Sequence, residues 1–231
     1  MSTVRVRRPV TRLGSVTYDT YVRLRQARSN RGLRMAYHDG VLEIMSPEYR
    51  HDHGSRHLLF VVTAYCKAFG VEFECSGGTT FSKGEPGEAK GNGKEPDESF
   101  YIGEAAAWVR NKDTLDLDVD PPPSLWLEID NWGSSKAKLP LYAGLGVPEV
   151  WRFRARKNTL WMGRLVGDGY EEVSASAALP GLTPAMVLDM LAGKASRGGL
   201  AWTAWLDDVW FPAHRQGLID GGAQAPGEPR P

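Results

Sequence analysis

Apolar positions recur along this chain with two periods, close to 3.6 in some stretches and 2 in others, so helices and strands are both predicted. Residues 17–28 bring Tyr18, Tyr21, Leu24 and Arg25 near one helical face. Two apolar segments, 33–37 and 41–45, flank His38-Asp39-Gly40, a hairpin signal because Asp-Gly tolerates positive φ. Ser46-Pro47 ends the second strand. Residues 51–69 then carry Leu58, Leu59, Val62, Tyr65, Cys66 and Phe69 at helical spacing, which predicts a buried helix. Short strands are expected at 71–75 and 79–82, followed by a polar, glycine-rich loop over 83–94 that does not pack. A further strand continues from Pro96-Asp97 through 100–102. Pro121-Pro122-Pro123 separates the apolar segments 115–119 and 125–129. Ser135 is read as the N-cap of a helix running to about residue 145, and Gly146 as its end. Segments 150–154, 159–165 and 170–173 predict a meander turning at Gly167-Asp168-Gly169, and a short helix follows at 184–191. Trp202, Trp205, Leu206, Val209 and Trp210 form one helical stripe, while the Gly/Pro-rich stretch after Pro212 is expected to be disordered. No internal repeat is visible.

This order predicts an α/β fold with a mixed central β-sheet flanked by helices. Four regions are expected: an arginine-rich N-terminal segment with a helix (1–32), a central domain (33–193), a Trp-rich helical extension (194–211) and a tail (212–231). The 231 residues, 42% hydrophobic and 24% charged, have an ordinary globular balance. No apolar run approaches the roughly 18 residues of a membrane span. The arginine-rich start lacks the apolar core of an export signal, so a cytoplasmic location is expected. Cys66 and Cys75 match no metal-ligand spacing; reduced thiols are the default and a bridge between them is left open.

The formal net charge is zero, which argues against a protein that coats nucleic acid without specificity, but the charge is unevenly spread. Residues 1–38 hold nine arginines (5, 7, 8, 12, 23, 25, 28, 31 and 34) against Asp19 alone, so nine minus one gives +8 there and −8 elsewhere. Arginine pairs with phosphate in a bidentate manner, so this arm could grip a nucleic-acid backbone. The same arginines could equally pair with the acidic remainder or solvate a helix face.

The densest chemistry lies between Glu95 and Trp151. Asp97 follows a proline that fixes the approaching backbone, and it opens an apolar strand. Glu128 and Asp130 stand on one face of the run Leu125-Trp126-Leu127-Glu128-Ile129, because strand side chains alternate. Buried acids there cost several kcal/mol unless a cation or strong donors satisfy them. If Asp97 and Glu128 come from adjacent strands, both can bind one Mg²⁺ with the Ile129 carbonyl as a further oxygen ligand. Lys138, on the helix expected next, could reach the same cleft and neutralise charge building on phosphorus. The bland reading is also available: acids at strand ends often cap loops, and helix lysines are usually solvated.

The residues resemble the Uma2 family, bacterial proteins of restriction-endonuclease type with the PD-(D/E)XK nuclease fold. The resemblance runs over about 33–192. It rests on Asp39-Gly40-Val41-Leu42-Glu43-Ile44-Met45-Ser46-Pro47, Glu95-Pro96-Asp97, Leu125-Trp126-Leu127-Glu128-Ile129-Asp130, and Lys138-Leu139-Pro140-Leu141-Tyr142 through Trp151. It implies that Asp97 is the motif aspartate and Glu128 the second acid. Asp130 occupies the place where nucleases of this fold usually keep a lysine, and that lysine is implied to have moved to Lys138, with Lys136 as an alternate. Glu43 would add an acid to the cleft, and His51 matches a histidine of unassigned role. Asn131-Trp132-Gly133 and the long loop before Glu95 depart from the family pattern.

The expectation is therefore a DNA endonuclease dependent on Mg²⁺ or Mn²⁺. Asp97, Glu128 and Asp130 would hold the metal, Lys138 would act on the phosphate, and two-fold pairing into a homodimer would present two sites. Two rivals stand beside it. One is a degenerate nuclease fold that binds nucleic acid or protein without cutting. The other is a structural subunit using the Trp stripe as a contact face, although such stripes are more often packing surfaces.

Overall fold

The computed structural model describes residues 10–45, 49–130 and 134–224, and for 49–55 the backbone only. Strand β1 (Thr11–Leu13) leads into α1 (Tyr18–Gln26), the hairpin β2 (Arg34–His38) and β3 (Val41–Met45), and the long helix α2 (Tyr49–Phe69). Next come β4 (Phe73–Cys75), the hairpin β5 (Phe81–Gly84) and β6 (Gly91–Lys94), β7 (Glu98–Ile102), α3 (Glu104–Val109) and β8 (Leu125–Ile129). A 3-10 turn at Ser135–Lys138 runs into α4 (Leu139–Gly144), followed by the meander β9 (Glu149–Arg154), β10 (Thr159–Val166) and β11 (Gly169–Glu172). Helices α5 (Pro184–Gly193), α6 (Gly199–Trp205) and α7 (Phe211–Asp220) complete the described chain, a π-helical turn at Leu206–Trp210 joining the last two.

The strands form two sheets rather than one. The first is antiparallel with order β1-β3-β2-β6-β5, and the second has order β11-β10-β9-β8-β7-β4. In the second sheet β8 and β9 are parallel, connected through α4, while its other pairs are antiparallel. Side chains alternate across β8. Leu125, Leu127 and Ile129 face a core shared with α2, α5 and the C-terminal helices. Trp126 faces the opposite way, into a core with Ala36, Phe81, Leu141 and Tyr142 from the first sheet and α4. Glu128 lies two positions on from Trp126, so it shares that face.

Three expectations need correction. The stretch 83–94 is not an unpacked loop: Gly91, Gly93 and Lys94 are buried in β6. Its glycines serve close approach, since a Cβ on Gly93 would fall 2.4 Å from the Tyr21 ring and hydroxyl, and one on Gly84 would fall 2.7 Å from the Tyr18 ring. Second, the helix after β8 is capped by Ser134, whose hydroxyl accepts from the Lys136 amide at 3.3 Å, and its first turn is 3-10. Third, residues after Pro212 continue as α7, with Leu218 buried in the core. Pro212 sits in the first turn of that helix, where its missing N–H costs least. Residues 225–231 lie outside the described residues.

Most of the Trp stripe is internal, with Trp205 partly buried and Val209 exposed. Trp202, Leu206 and Trp210 are buried against α2 and α5, with the Trp202 indole donating to the Met190 carbonyl at 2.9 Å and that of Trp210 to Asp189 at 2.6 Å. The contact-face role imagined for it is thus taken by the chain's own core. Neither Cys66 nor Cys75 is in a disulfide. No helix among the described residues is long and apolar enough to cross a membrane.

Candidate active site

The chain passes from the first sheet to the second in three residues, Glu95-Pro96-Asp97, between Lys94 at the end of β6 and Glu98 at the start of β7. That crossing builds the site. Strands β7 and β8 pair with Glu98 opposite Leu127, so one step further along the ladder brings Asp97 level with Glu128. The two predicted carboxylates therefore come from adjacent strands.

Each carboxylate meets a cation from the other sheet. Asp97 accepts from Arg34 of β2 and, through its second oxygen, from the Ile129 amide at 2.8 Å. Glu128 is buried, and one of its oxygens accepts from Lys94 and from the Trp126 indole, the latter at 2.7 Å. Lys94 is itself only 4% exposed. It also donates to the Glu95 carbonyl at 2.9 Å and lies 5.7 Å and 5.6 Å from the ring centres of Trp126 and Tyr142. Among the described residues the other Glu128 oxygen accepts no hydrogen bond.

Tyr142, from α4, packs against Lys94 and Trp126. Among the described residues its hydroxyl is buried without a hydrogen-bond partner. Burial first, and then the negative charges of Glu128, Asp97 and Asp130, push its ionisation well above the ordinary tyrosine range. The phenol therefore stays protonated, a donor held where three carboxylate fields overlap.

The remaining predicted residues lie around this pair. Asp130 is buried but fully engaged: one oxygen accepts from the Ser135 amide at 2.7 Å and the other from Arg152 of β9 at 2.7 Å. Arg152 also donates to the hydroxyls of Ser135 and Ser134, each at 2.8 Å. Asp130 thus anchors the turn that launches α4. Lys138 ends that turn and pairs with Glu43 of β3 at 3.2 Å, both side chains partly exposed. Glu43, Ala36 and Lys94 lie in one cross-strand row of the first sheet, which sets the Glu43–Lys138 pair two strands, about 10 Å, from Lys94. A cleft of about 80 Å³ opens beside Glu43 and Lys138. Lys136 is exposed. The side chain of His51 and residues 131–133 lie outside the described residues.

Sequence reasoning missed Lys94, Arg34 and Arg152. Lys94 immediately precedes Glu95-Pro96-Asp97, a position that could have flagged it, but its glycine-rich surroundings read as loop. Arg152 faces Glu128 in the parallel ladder, a relation that only the β8–β9 register reveals.

Hard oxygen donors on neighbouring strands suit a divalent cation. Among the described residues no three His, Cys, Asp or Glu side chains converge on one point. Two carboxylates are what Mg²⁺ commonly takes from a protein, keeping waters and substrate phosphates for its other positions.

A mixed sheet with paired carboxylates at the mouth of two adjacent central strands and a lysine beside them defines an α/β protein of restriction-endonuclease-like architecture. The family model described as Uma2, "Putative restriction endonuclease", matches residues 18–194, more than half of the chain, and the chain belongs to that family. No curated protein matches the chain.

Proposed function

We propose that this nuclease-family protein is a DNA endonuclease that hydrolyses phosphodiester bonds with Mg²⁺ or Mn²⁺ bound between Asp97 and Glu128. The observation that carries the reading is the level placement of these two acids beside one another, with one Glu128 oxygen accepting no hydrogen bond among the described residues. When bound, the ion would supply Lewis acidity and a water of lowered pKa. The chain's own groups do the rest. Lys94 and Trp126 fix the rotamer of Glu128, and Arg34 with the Ile129 amide fixes Asp97. Tyr142 offers a proton-bearing hydroxyl to whatever oxygen sits between the acids. Lys138 is long, partly exposed and, among the described residues, paired with Glu43 alone, so it can swing onto a phosphate and offset its charge. Two cysteines outside any disulfide suit a reducing, cytoplasmic setting. Cutting both strands of a duplex asks for two such sites, which a two-fold pair of copies would present.

The test is nicking of supercoiled plasmid at low salt with Mg²⁺ or Mn²⁺. Wild type should cut, while Asp97→Ala and Glu128→Ala should not, with both variants remaining folded by circular dichroism. Retained cutting by both variants would sink the assignment. One observation favours a second reading: Arg34 and Lys94 already neutralise the two acids, as they would in a fold that binds without cutting. Calorimetry with Mn²⁺ separates the two, because a non-cutting binder gives neither metal heat nor nicked plasmid.

A further inference from the structure

Arg34 also lines a cavity of about 310 Å³, walled by Arg25, Asn30, Arg31, Thr80 and Glu95 among others. Arg34 is already paired with Asp97, so Arg25 and Arg31 against Glu95 leave the wall net +1, in a chain whose total is zero. Among the described residues the Arg25 Nε is buried with no hydrogen-bond partner. The Tyr21 hydroxyl, also buried and unpartnered, is close enough to Arg25 and Glu95 to feel both charges. Arg25 and Arg31 form no ion pair with a described carboxylate, and Glu95 is already held by the Thr80 hydroxyl at 2.9 Å. Leaving guanidinium donors buried and unsatisfied is costly, and an anion with several acceptor oxygens relieves that cost.

We infer that this cavity is a phosphate site, taking the backbone phosphate of a nucleic-acid strand next to the one presented to Asp97 and Glu128. The inference rests on the nuclease reading for the identity of the strand. Arg34 carries the connection, since the same residue lines the cavity and clamps Asp97. A strand seated by Arg25 and Arg31 would thereby be held in register with the two acids. Phosphate contacts of this kind position a substrate without reading its sequence.

The experiment is fluorescence anisotropy with a short labelled duplex in EDTA, repeated over a salt series, so that neither metal nor cleavage enters. Arg31 is exposed, so Arg31→Gln should fold as wild type does; Arg25→Ala combined with it is the stronger variant. Arg164→Gln, an exposed change of equal charge on β10, is the control. The double variant should lose roughly tenfold in affinity and about one unit of salt slope, as expected for one lost phosphate contact, with Arg31→Gln showing part of both effects. Equal behaviour of Arg31→Gln, the double variant and the control overturns the inference, as does absence of duplex binding by wild type. Inorganic phosphate, read by thermal shift, separates the sources. Protection of wild type but not the double variant, with duplex affinity unchanged, makes this a free-phosphate pocket and overturns the strand assignment. Failure of the nuclease reading shows separately, as duplex binding without plasmid nicking.

Discussion

Lys94 of the five-stranded sheet is ion-paired to Glu128 of the six-stranded sheet, both side chains being buried, and this contact joins the two sheets at the site. Breaking a buried pair strands a charge, which typically costs about 3–5 kcal/mol. Lys94→Met should therefore lower stability by several kcal/mol in urea unfolding and also abolish cleavage, because Glu128 loses its rotamer. Adding Glu128→Gln to Lys94→Met removes the stranded charge and should recover much of the stability but none of the activity. A double variant no more stable than Lys94→Met would show that the pair is not the source of the loss.

Lys138 makes the opposite prediction. Its pair with Glu43 is partly exposed, and such pairs contribute about 1 kcal/mol or less. Lys138→Ala should leave the unfolding midpoint nearly unchanged while lowering plasmid cleavage by about 100-fold or more, the usual scale for losing a group that offsets transition-state charge. The contrast with Lys94→Met decides which lysine acts on phosphate and which holds an acid in place. If Lys138→Ala cleaves normally, the role passes to another cation.

Asp130 tests the boundary between site and scaffold. Both of its oxygens are committed, to Arg152 and to the Ser135 amide, so the geometry makes it an anchor for the turn into α4. Asp130→Asn keeps an acceptor for Ser135 but leaves the Arg152 guanidinium buried and unpaired. It should lower stability by about 3–5 kcal/mol, with Mn²⁺ affinity by calorimetry and kcat/KM per folded molecule at wild-type values. A large fall in Mn²⁺ affinity would restore Asp130 to the metal ligands.

Asp97, Glu128 and Asp130 mark what was legible in the sequence. The sequence pattern puts Asp97 at a strand start and Glu128 with Asp130 on one face of a strand; in the structure Asp97 immediately precedes β7, Glu128 is in β8 and Asp130 immediately follows it. Periodicity says nothing about partners. Arg152 lies 22 residues after Asp130 on a parallel neighbour, and Lys94 lies 34 residues before Glu128 in the other sheet. The hairpin at His38-Asp39-Gly40 was legible because Asp39 and Gly40, at φ 41° and 82°, obey local turn chemistry. The β5–β6 hairpin was not, because its glycines answer to Tyr18 and Tyr21 rings from α1, a tertiary relation that composition reports only as looseness. Helix α7 was hidden for a similar reason, since Leu218 and the first-turn Pro212 acquire meaning only once the core they pack on exists.

Cys75 gives a prediction about pH. The residue is at the surface, yet its sulfur donates to the buried Glu98 carboxylate at 3.1 Å. Burial first, and then that hydrogen bond to an acid, push the thiol from 9.0 up to about 12. A thiol whose folded value is raised stabilises the fold in its protonated form. That contribution is complete below pH 9.0, declines as the unfolded chain begins to ionise, and is gone once the pH passes about 12. The thiolate is also the reactive species, so Cys75 should resist alkylation at pH 8 despite its place on the surface. Iodoacetamide labelling followed by mass spectrometry should find it far slower than a free thiol. Glu98→Gln should speed labelling by removing the charge that opposes ionisation. Rapid labelling of the wild-type protein at pH 8 would mean that the sulfur is not held against Glu98.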